Sequence, residues 1–147
     1  MELNVFKKCV HKCLKERDFV KIKSKYYMTG EEFTCMIDIQ KSCYEPKCYI
    51  NYSFFLGKFK SPSEINKDEI ATYTPCVVGR FYFTGKDTYS CDYLNYLEDE
   101  LVNLLDNNLK EKIFPPFEEG KNYLLKHFGT LYKSFLNDDI IKPLLEK

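Results

Sequence analysis

The sequence is poor in the residues on which nucleic-acid recognition most depends. It has no tryptophan, two histidines and, among its basic residues, only two arginines, Arg17 and Arg80. Bidentate recognition of phosphate or guanine relies mainly on arginine, so this scarcity argues against a nucleic-acid partner. The 22 basic and 22 acidic residues cancel, and no net field would draw the chain to a polyanion.

Long apolar runs are also missing from the sequence, and its first residues do not lead us to expect a leader segment. No stretch reaches the roughly 20 apolar residues that a membrane-spanning helix needs. The N-terminal residues, "MELNVFKKCVHKCLKERD", carry charges throughout and do not resemble a secretory signal. We therefore expect a cytoplasmic protein without a membrane partner, in which the seven cysteines are mostly free thiols.

Established catalytic motifs are absent as well. The sequence contains no phosphate-binding glycine loop and no G-x-S-x-G nucleophile motif. His11 and His127 have no partner in a recognisable triad, and the adjacent acids at 98–100 are typical of a solvated helix surface. We predict no catalytic residue and no cofactor, so an enzyme is the less favoured class.

The cysteine spacing does not favour a metal site. Cys9, His11 and Cys13 cannot converge on one ion if they lie on a helix, because their side chains point in different directions. Cys43 and Cys48 flank a predicted turn and are expected to face each other on the apolar side of a hairpin. For this pair we rank packed thiols first, an adventitious disulfide second and a metal third.

The chain does contain strong hydrophobic periodicity. Apolar side chains in 2–17 recur at three- and four-residue steps, which predicts an amphipathic helix. Strict alternation in 33–40 and 48–56 predicts two strands, and the segments at 19–28 and 76–83 predict further short strands. The polar segment 58–75 is predicted to be a long loop.

The second half of the chain returns to helical periodicity. A leucine-rich stripe predicts a helix from Ser90, its expected N-cap, to Ile113, with Pro115 and Pro116 ending it. Further helices are predicted at about 117–128 and close to the C-terminus. Residues 1–147 are thus expected to form a single α+β domain: one antiparallel sheet of four to five strands, with an N-terminal helix and two to three C-terminal helices packed on one face.

The two alternating segments predict a hairpin folded at Glu45-Pro46, with paired residue numbers that sum to 91. In this register Ile39 faces Tyr52, and the apolar sides of both strands coincide. The same pairing places Gln40 opposite Asn51 on the polar side.

A row of polar side chains on this hairpin is the strongest candidate for a binding site. Gln40, Lys41 and Ser42 end one strand and Asn51 lies on the next, while Arg80 has the parity to join them from strand 76–83. Such a row suits a ligand with carboxylate, amide or phosphate groups. Alternatively, these are ordinary solvent-facing residues, with Arg80 paired to Asp38 or Glu32 (the alternative to which we give more weight).

Five segments occur in the order found in the DUF4304 family, a family of bacterial domains of unknown function, which this sequence resembles over roughly residues 3–128. They are "FKKCVHKCLKERDFVKIKSKYY", "IDIQKS", "CYINYSFFLG", "VVGRFYF" and "IFPPFEE". The resemblance implies the architecture described above and marks the residues of the polar row. It carries no activity. Two differences from the pattern are Asp18, where the family usually has Gly, and the absence of a Trp after the strand that carries Arg80.

These observations favour a non-enzymatic binding or interaction module that uses the polar face of its sheet. One version is a partner-binding protein of the immunity or antitoxin kind, an analogy at the level of fold alone. The alternative is a small-molecule enzyme or ligand carrier with a pocket around Gln40, Asn51 and Arg80. An enclosed, concave pocket there would favour the alternative, and an open sheet surface would favour the module.

Overall fold

The computed structural model describes residues 1–56, 61–65, 70, 75–84, 89–120 and 122–123. Of the predicted elements, most of the 58–75 loop, half of the 117–128 helix and the last helix lie outside these residues. The described elements are α1 (Leu3–Glu16), β1 (Val20–Ile22), β2 (Lys25–Thr29), β3 (Phe33–Lys41), β4 (Cys48–Leu56), a 3-10 turn (Pro62–Glu64), β5 (Val77–Arg80), a second 3-10 turn (Tyr93–Asn95), α2 (Glu98–Asn108), a π-helical segment (Leu109–Ile113) and α3 (Phe114–Glu119).

The five strands form one antiparallel sheet in the order β1-β2-β3-β4-β5. Each strand pairs with its neighbour in sequence, so the sheet is a meander with β1 and β5 at its two edges. The predicted α+β class, with one antiparallel sheet, an N-terminal helix and C-terminal helices, is confirmed. No helix in the described ranges has the length and apolarity needed to cross a membrane.

The main core lies between the helices and one face of the sheet. From α1 it takes the predicted apolar stripe, including Phe6, Val10 and Leu14, and from the sheet it takes side chains such as Ile37 and Ile50, all fully buried. Burying one such side chain contributes about 1.5 to 3 kcal/mol. The alternation along β3 and β4 therefore determines which face the helices cover.

A smaller cluster covers one end of the opposite face. Tyr27 and Phe55 of the sheet pack there against Ile65 and Ile70, which belong to the predicted 58–75 loop. The other end of this face carries the polar row and stays open. The predicted loop thus has a packing role, because two of its residues are buried against the sheet.

The predicted hairpin register is wrong by two residues. The paired residue numbers of β3 and β4 sum to 89, so Asp38 lies opposite Asn51, and Gln40 opposite Tyr49. The reason lies in the hydrogen bonds of the turn. Ser42 N donates to Lys47 O, and the Ser42 hydroxyl accepts from Tyr44 N and Glu45 N. A shift of two residues preserves the face of every side chain, so the predicted apolar and polar sides remain correct.

The helix predicted from Ser90 begins later than expected. Ser90 is buried and does not cap a helix, and α2 starts at Glu98 behind the second 3-10 turn. Pro115 and Pro116 do not end the helical region either. The π-helical segment precedes them, and they occupy the first turn of α3, where the missing proline N–H groups cost no hydrogen bond.

The end of α1 has a backbone geometry in which glycine is the most common residue. Asp18 has φ 69°, in the left-handed region, and Phe19 N donates to Leu14 O at 3.0 Å while Asp18 N donates to Lys15 O at 3.2 Å. This pair of bonds is a Schellman motif, whose left-handed position is most often glycine. Aspartate tolerates the conformation better than most residues, so the motif persists here.

Asn108 joins the end of α2 to the edge strand β5. Its side-chain amide mimics a neighbouring strand: Oδ1 accepts from Tyr82 N at 2.8 Å, and Nδ2 donates to Tyr82 O at 2.9 Å and to Leu104 O at 2.7 Å. Only 5% of Asn108 is exposed, which makes it one of the few buried polar residues described. The residue therefore satisfies main-chain groups that the edge of the sheet would otherwise leave unpaired.

Replacement of Asn108 by Ala should lower the free energy of unfolding by about 1 to 3 kcal/mol, because the main-chain groups of Tyr82 lose two part-buried hydrogen bonds. The neighbouring Asn107 is exposed on the same helix, and Asn107→Ala should change stability by less than about 0.5 kcal/mol. Urea unfolding of both variants measures the difference. Equal effects of the two substitutions would contradict the role given to Asn108.

Candidate functional site

The structure brings Gln40, Asn51 and Arg80 together on the open end of the sheet. Asn51 and Arg80 are direct register partners across β4 and β5. The Arg80 guanidinium donates from Nε to Asn51 Oδ1 at 2.9 Å and from Nη2 to Gln40 Oε1 at 3.4 Å. Asn51 Nδ2 donates to the same Gln40 oxygen at 3.1 Å, so the diagonal reach of the two amides compensates for the register shift.

The contacts of the Arg80 guanidinium with described residues are all with neutral groups. Its Cζ lies 4.3 Å from the centre of the Tyr49 ring, and its hydrogen bonds go to two amide oxygens. Among the described residues it forms no ion pair, since the two recorded pairs are Arg17–Asp106 and Lys47–Glu45. Arg80 is exposed, so its other N–H groups are available to a ligand.

Lys41 and Ser42 lie next to this cluster but do not join its hydrogen bonds. Lys41 is exposed, and its Nζ donates to the main-chain oxygen of Ser42 at 3.1 Å. The Ser42 hydroxyl accepts from Tyr44 N at 3.3 Å and from Glu45 N at 3.4 Å. These contacts give Ser42 a role in shaping the hairpin turn. The sequence alone could not distinguish this role from a role in binding.

The ion pair predicted for Arg80, with Asp38 or Glu32, is not among those of the described residues. Asp38 lies opposite Asn51 on the same face, yet it makes no ion pair with Arg80. Burial, followed by the negative charge of Asp38, raises the pKa of Tyr27. Asp38 therefore makes no direct contact with the guanidinium, and its negative charge acts also on Tyr27 of the small apolar cluster.

Gly79 places β5 close against the core beneath this site. A Cβ at Gly79 would overlap the ring of Tyr52, its register partner on β4. The Tyr52 ring packs against Phe81, with ring centres 6.1 Å apart. The glycine thus leaves room for an aromatic side chain on the buried face, and this packing supports the strand that presents Arg80 on the opposite face.

Three residues beside the site were not identified from the sequence. Tyr82 and Tyr89 have ring centres 4.7 Å apart and hydroxyl groups 2.9 Å apart. Lys112, from the π-helical segment, places its Nζ 3.5 Å from the centre of the Tyr82 ring and 2.8 Å from Arg80 O. The sequence held one signal for Lys112. Asn108 and Lys112 are polar residues four positions apart within a leucine-rich helical segment, where apolar residues would be expected.

A groove of about 490 Å³ between α1 and α2 is the main alternative location described. Arg17 lies in it, and its Nη2 is 2.9 Å from Asp106 Oδ1. Basic side chains of α1 face acidic side chains of α2 across the groove, so its charges largely compensate one another. The groove therefore offers less residual charge to a ligand than the Arg80 cluster.

The cysteines do not occupy the predicted positions. Cys43 is exposed in the turn, whereas Cys48 is buried opposite Lys41 and exchanges two main-chain hydrogen bonds with Cys91. The predicted facing of Cys43 and Cys48 is wrong, because the register shift moves Cys43 into the loop. All seven cysteines are free thiols, and the described part of the chain has no group of three or more potential ligands that could hold a metal ion.

The histidines and adjacent acids have structural surroundings where they are described. His11 Nδ1 lies 2.8 Å from the Tyr26 hydroxyl, within the contact between α1 and β2. Glu98, Asp99 and Glu100 form the first turn of α2, and Glu100 Oε1 accepts from Leu97 N at 3.4 Å. This is the favoured place for acids on a helix. His127 lies outside the described residues.

The fold and the site together define an α+β protein with a single-sheet meander, an apolar face under helices and an arginine–amide cluster on its open face. The sequence profile of the family described as Domain of unknown function (DUF4304) matches residues 10–119. The chain therefore belongs to the DUF4304 family. No curated protein and no solved structure matches the chain.

The double substitution Asn51→Ala with Arg80→Ala should leave stability nearly unchanged. The hydrogen bonds of the cluster are exposed to solvent, and we expect a loss below about 1 kcal/mol in urea unfolding. Asn108→Ala serves as the buried comparison. A loss from the double substitution as large as that of Asn108→Ala would show that the cluster is part of the scaffold.

Alkaline pH should destabilise the protein partly through its buried thiols. Burial raises the pKa of Cys76 from 9.0 to about 12. Between these values alkali removes the proton only from the unfolded chain, so the stability contributed by Cys76 is complete below pH 9 and is lost as pH rises toward 12.

The slope of unfolding free energy against pH above pH 9 should therefore be shallower in Cys76→Ala than in the wild type. The exposed Cys43 provides the matched control, and Cys43→Ala should leave that slope unchanged. Urea unfolding at a series of pH values measures all three proteins. Identical slopes for Cys76→Ala and the wild type would contradict this assignment.

Proposed function

We propose that this chain is a non-enzymatic, cytoplasmic binding module whose open sheet end recognises a carboxylate group on a protein partner. One observation carries the proposal. The Arg80 guanidinium is oriented by two neutral amide oxygens and an aromatic ring, with no carboxylate among its described contacts. An arginine fixed in this way retains its full positive charge for an incoming anion.

The arrangement also reduces the entropic cost of binding. Asn51 and Gln40 restrict the rotamers of the guanidinium before any ligand arrives, and Tyr49 supports one of its faces. The remaining N–H groups form a planar fork that matches the two oxygens of a carboxylate. Preorganisation of this kind improves affinity without adding contacts.

Exposure supports a macromolecular partner in preference to an enclosed small molecule. Gln40 and Arg80 are exposed, and apolar or aromatic side chains beside them are also accessible: Val78 is 52% exposed, Tyr82 47% and Tyr44 in the hairpin turn 96%. Tyrosine and arginine are enriched at protein interfaces and at their energetic hot spots. A mixed surface of this composition suits a protein better than a metabolite.

One form of this proposal is a partner-binding protein of the immunity or antitoxin kind, by analogy with other small α+β proteins. The alternative is an enzyme or ligand carrier that uses the same residues on a small anionic molecule. The two differ in the ligand that Arg80 selects: the module requires a carboxylate displayed on a polypeptide, whereas the carrier binds a free dicarboxylate as well or better.

The two arginines make a direct NMR test practical, because an arginine-labelled sample gives only two Nε–H signals. Addition of an amidated triglutamate peptide should shift the Arg80 signal in a saturable way, since a carboxylate would bind its free N–H groups. The Arg17 signal should not move, because Asp106 already occupies that guanidinium. Triglutamine at the same concentration and sodium chloride at matched ionic strength are the controls.

Two results would overturn parts of this proposal. An Arg80 signal that responds no more to triglutamate than to sodium chloride would remove the carboxylate site. Tighter binding of free succinate or glutarate than of the peptide would favour the ligand carrier. A photo-crosslinker placed at Tyr44 tests the protein partner in cells: its crosslinked protein should disappear with Arg80→Gln and persist with the matched variant Arg17→Gln.

A further inference from the structure

Lys112 contributes a second positive charge close to the Arg80 cluster. The hydrogen bond from Phe81 N to Ile50 O turns the main-chain groups of residues 80 and 82 away from β4, toward the outer edge of the sheet. Lys112 reaches this edge from the π-helical segment, and its Nζ donates to Arg80 O at 2.8 Å. The guanidinium of the same residue extends the other way, over β4.

The contacts of the Lys112 ammonium group within the described part of the chain are also with neutral groups. It lies 3.5 Å from the centre of the Tyr82 ring, and among the described residues it forms no ion pair. Burial lowers the pKa of Lys112 to about 8, and the negative charge of Glu111 opposes that effect without offsetting it. A half-buried ammonium without a counter-charge gains stability when an anion arrives.

An aromatic surface adjoins this ammonium. The rings of Tyr82 and Tyr89 pack against each other, and 47% and 43% of these residues are exposed. A ligand carboxylate that reaches Lys112 would therefore lie beside two tyrosine side chains. The partly dry surroundings strengthen a charge contact relative to one in open water.

We propose that Arg80 and Lys112 flank β5 as two separate anchors for an acidic protein segment, with one carboxylate bound at each. The inference rests on the proposed function and adds the chemistry of the partner. Two unneutralised cations on opposite sides of one strand suit two carboxylates spaced along a polypeptide better than a single compact anion. Arginine scarcity and zero net charge make a nucleic acid the weaker fit.

The direct experiment measures binding of a fluorescein-labelled hexaglutamate peptide to the wild type, Lys112→Gln, Lys112→Arg and Lys110→Gln at pH 7. Lys110→Gln is the matched control. Lys110 is exposed on the same π-helical segment, and its replacement removes the same charge from the protein. We expect Lys112→Gln to weaken binding about five- to tenfold, while Lys112→Arg and Lys110→Gln remain within about twofold.

A second peptide separates this inference from the proposed function. A hexamer with an amidated C-terminus and one glutamate among glutamines carries a single peptide carboxylate, which we expect to bind Arg80, the cation held in one orientation by two amides and a ring. Lys112→Gln should therefore not weaken its binding, whereas Arg80→Gln should weaken both peptides. If Arg80→Gln matters and Lys112→Gln does not, the second anchor is wrong and the Arg80 site stands. If neither substitution affects hexaglutamate, both proposals fail.

The pH dependence gives an independent readout that a structural role would not produce. The charged and titratable groups described around the Lys112 ammonium are Arg80, Tyr82, Tyr89 and Glu111. Hexaglutamate affinity should fall between pH 7 and pH 9 in the wild type as Lys112 loses its proton, and should stay constant in Lys112→Arg. Equal pH profiles for the two proteins, or tighter binding of an oligothymidylate than of hexaglutamate, would overturn the inference.

Discussion

The side-chain amide of Asn108 completes the hydrogen bonding of an edge strand from within the helix layer, and the rest of the open surface depends on this contact. Because Asn108 pairs with both main-chain groups of Tyr82, the end of α2 lies against the residues that directly follow β5. The π-helical segment that follows then carries Lys112 to the next outward-facing carbonyl, that of Arg80. One buried polar residue thus positions the strand, the aromatic pair and the second cation.

The two faces of the sheet are stabilised differently: one by apolar packing against the helices, the other by hydrogen bonds between polar side chains. On the helix face, alternation places large apolar side chains in a closely packed core, and Gly79 is required because the Tyr52 ring occupies the space of a side chain. On the open face, neutral amides surround an arginine without cancelling its charge. The rigidity of the first face is what allows the second to present a cation in one orientation.

Hydrophobic alternation was enough to predict the strands, their faces and the parity that brings Arg80 to Asn51. It was not enough to predict the register, since the Ser42 hydroxyl and the turn hydrogen bonds select the pairing two residues away. The same error placed Cys43 on the apolar face, whereas Cys43 is exposed in the turn. Gln40 and Asn51 still meet because the long Gln40 side chain can reach its diagonal neighbour on β4.

The sequence by itself determined the α+β architecture, the buried face and the candidate residues Gln40, Asn51 and Arg80, because period and parity are properties of the chain alone. Only the tertiary structure decided what surrounds them. Whether Arg80 meets a carboxylate or an amide, and whether Lys112 lies beside it, depends on contacts between residues 29 to 40 positions apart in the chain. Such contacts form when strands pair and when a helix packs against a sheet edge. Local periodicity does not predict them, because it describes only residues that are a few positions apart in the chain.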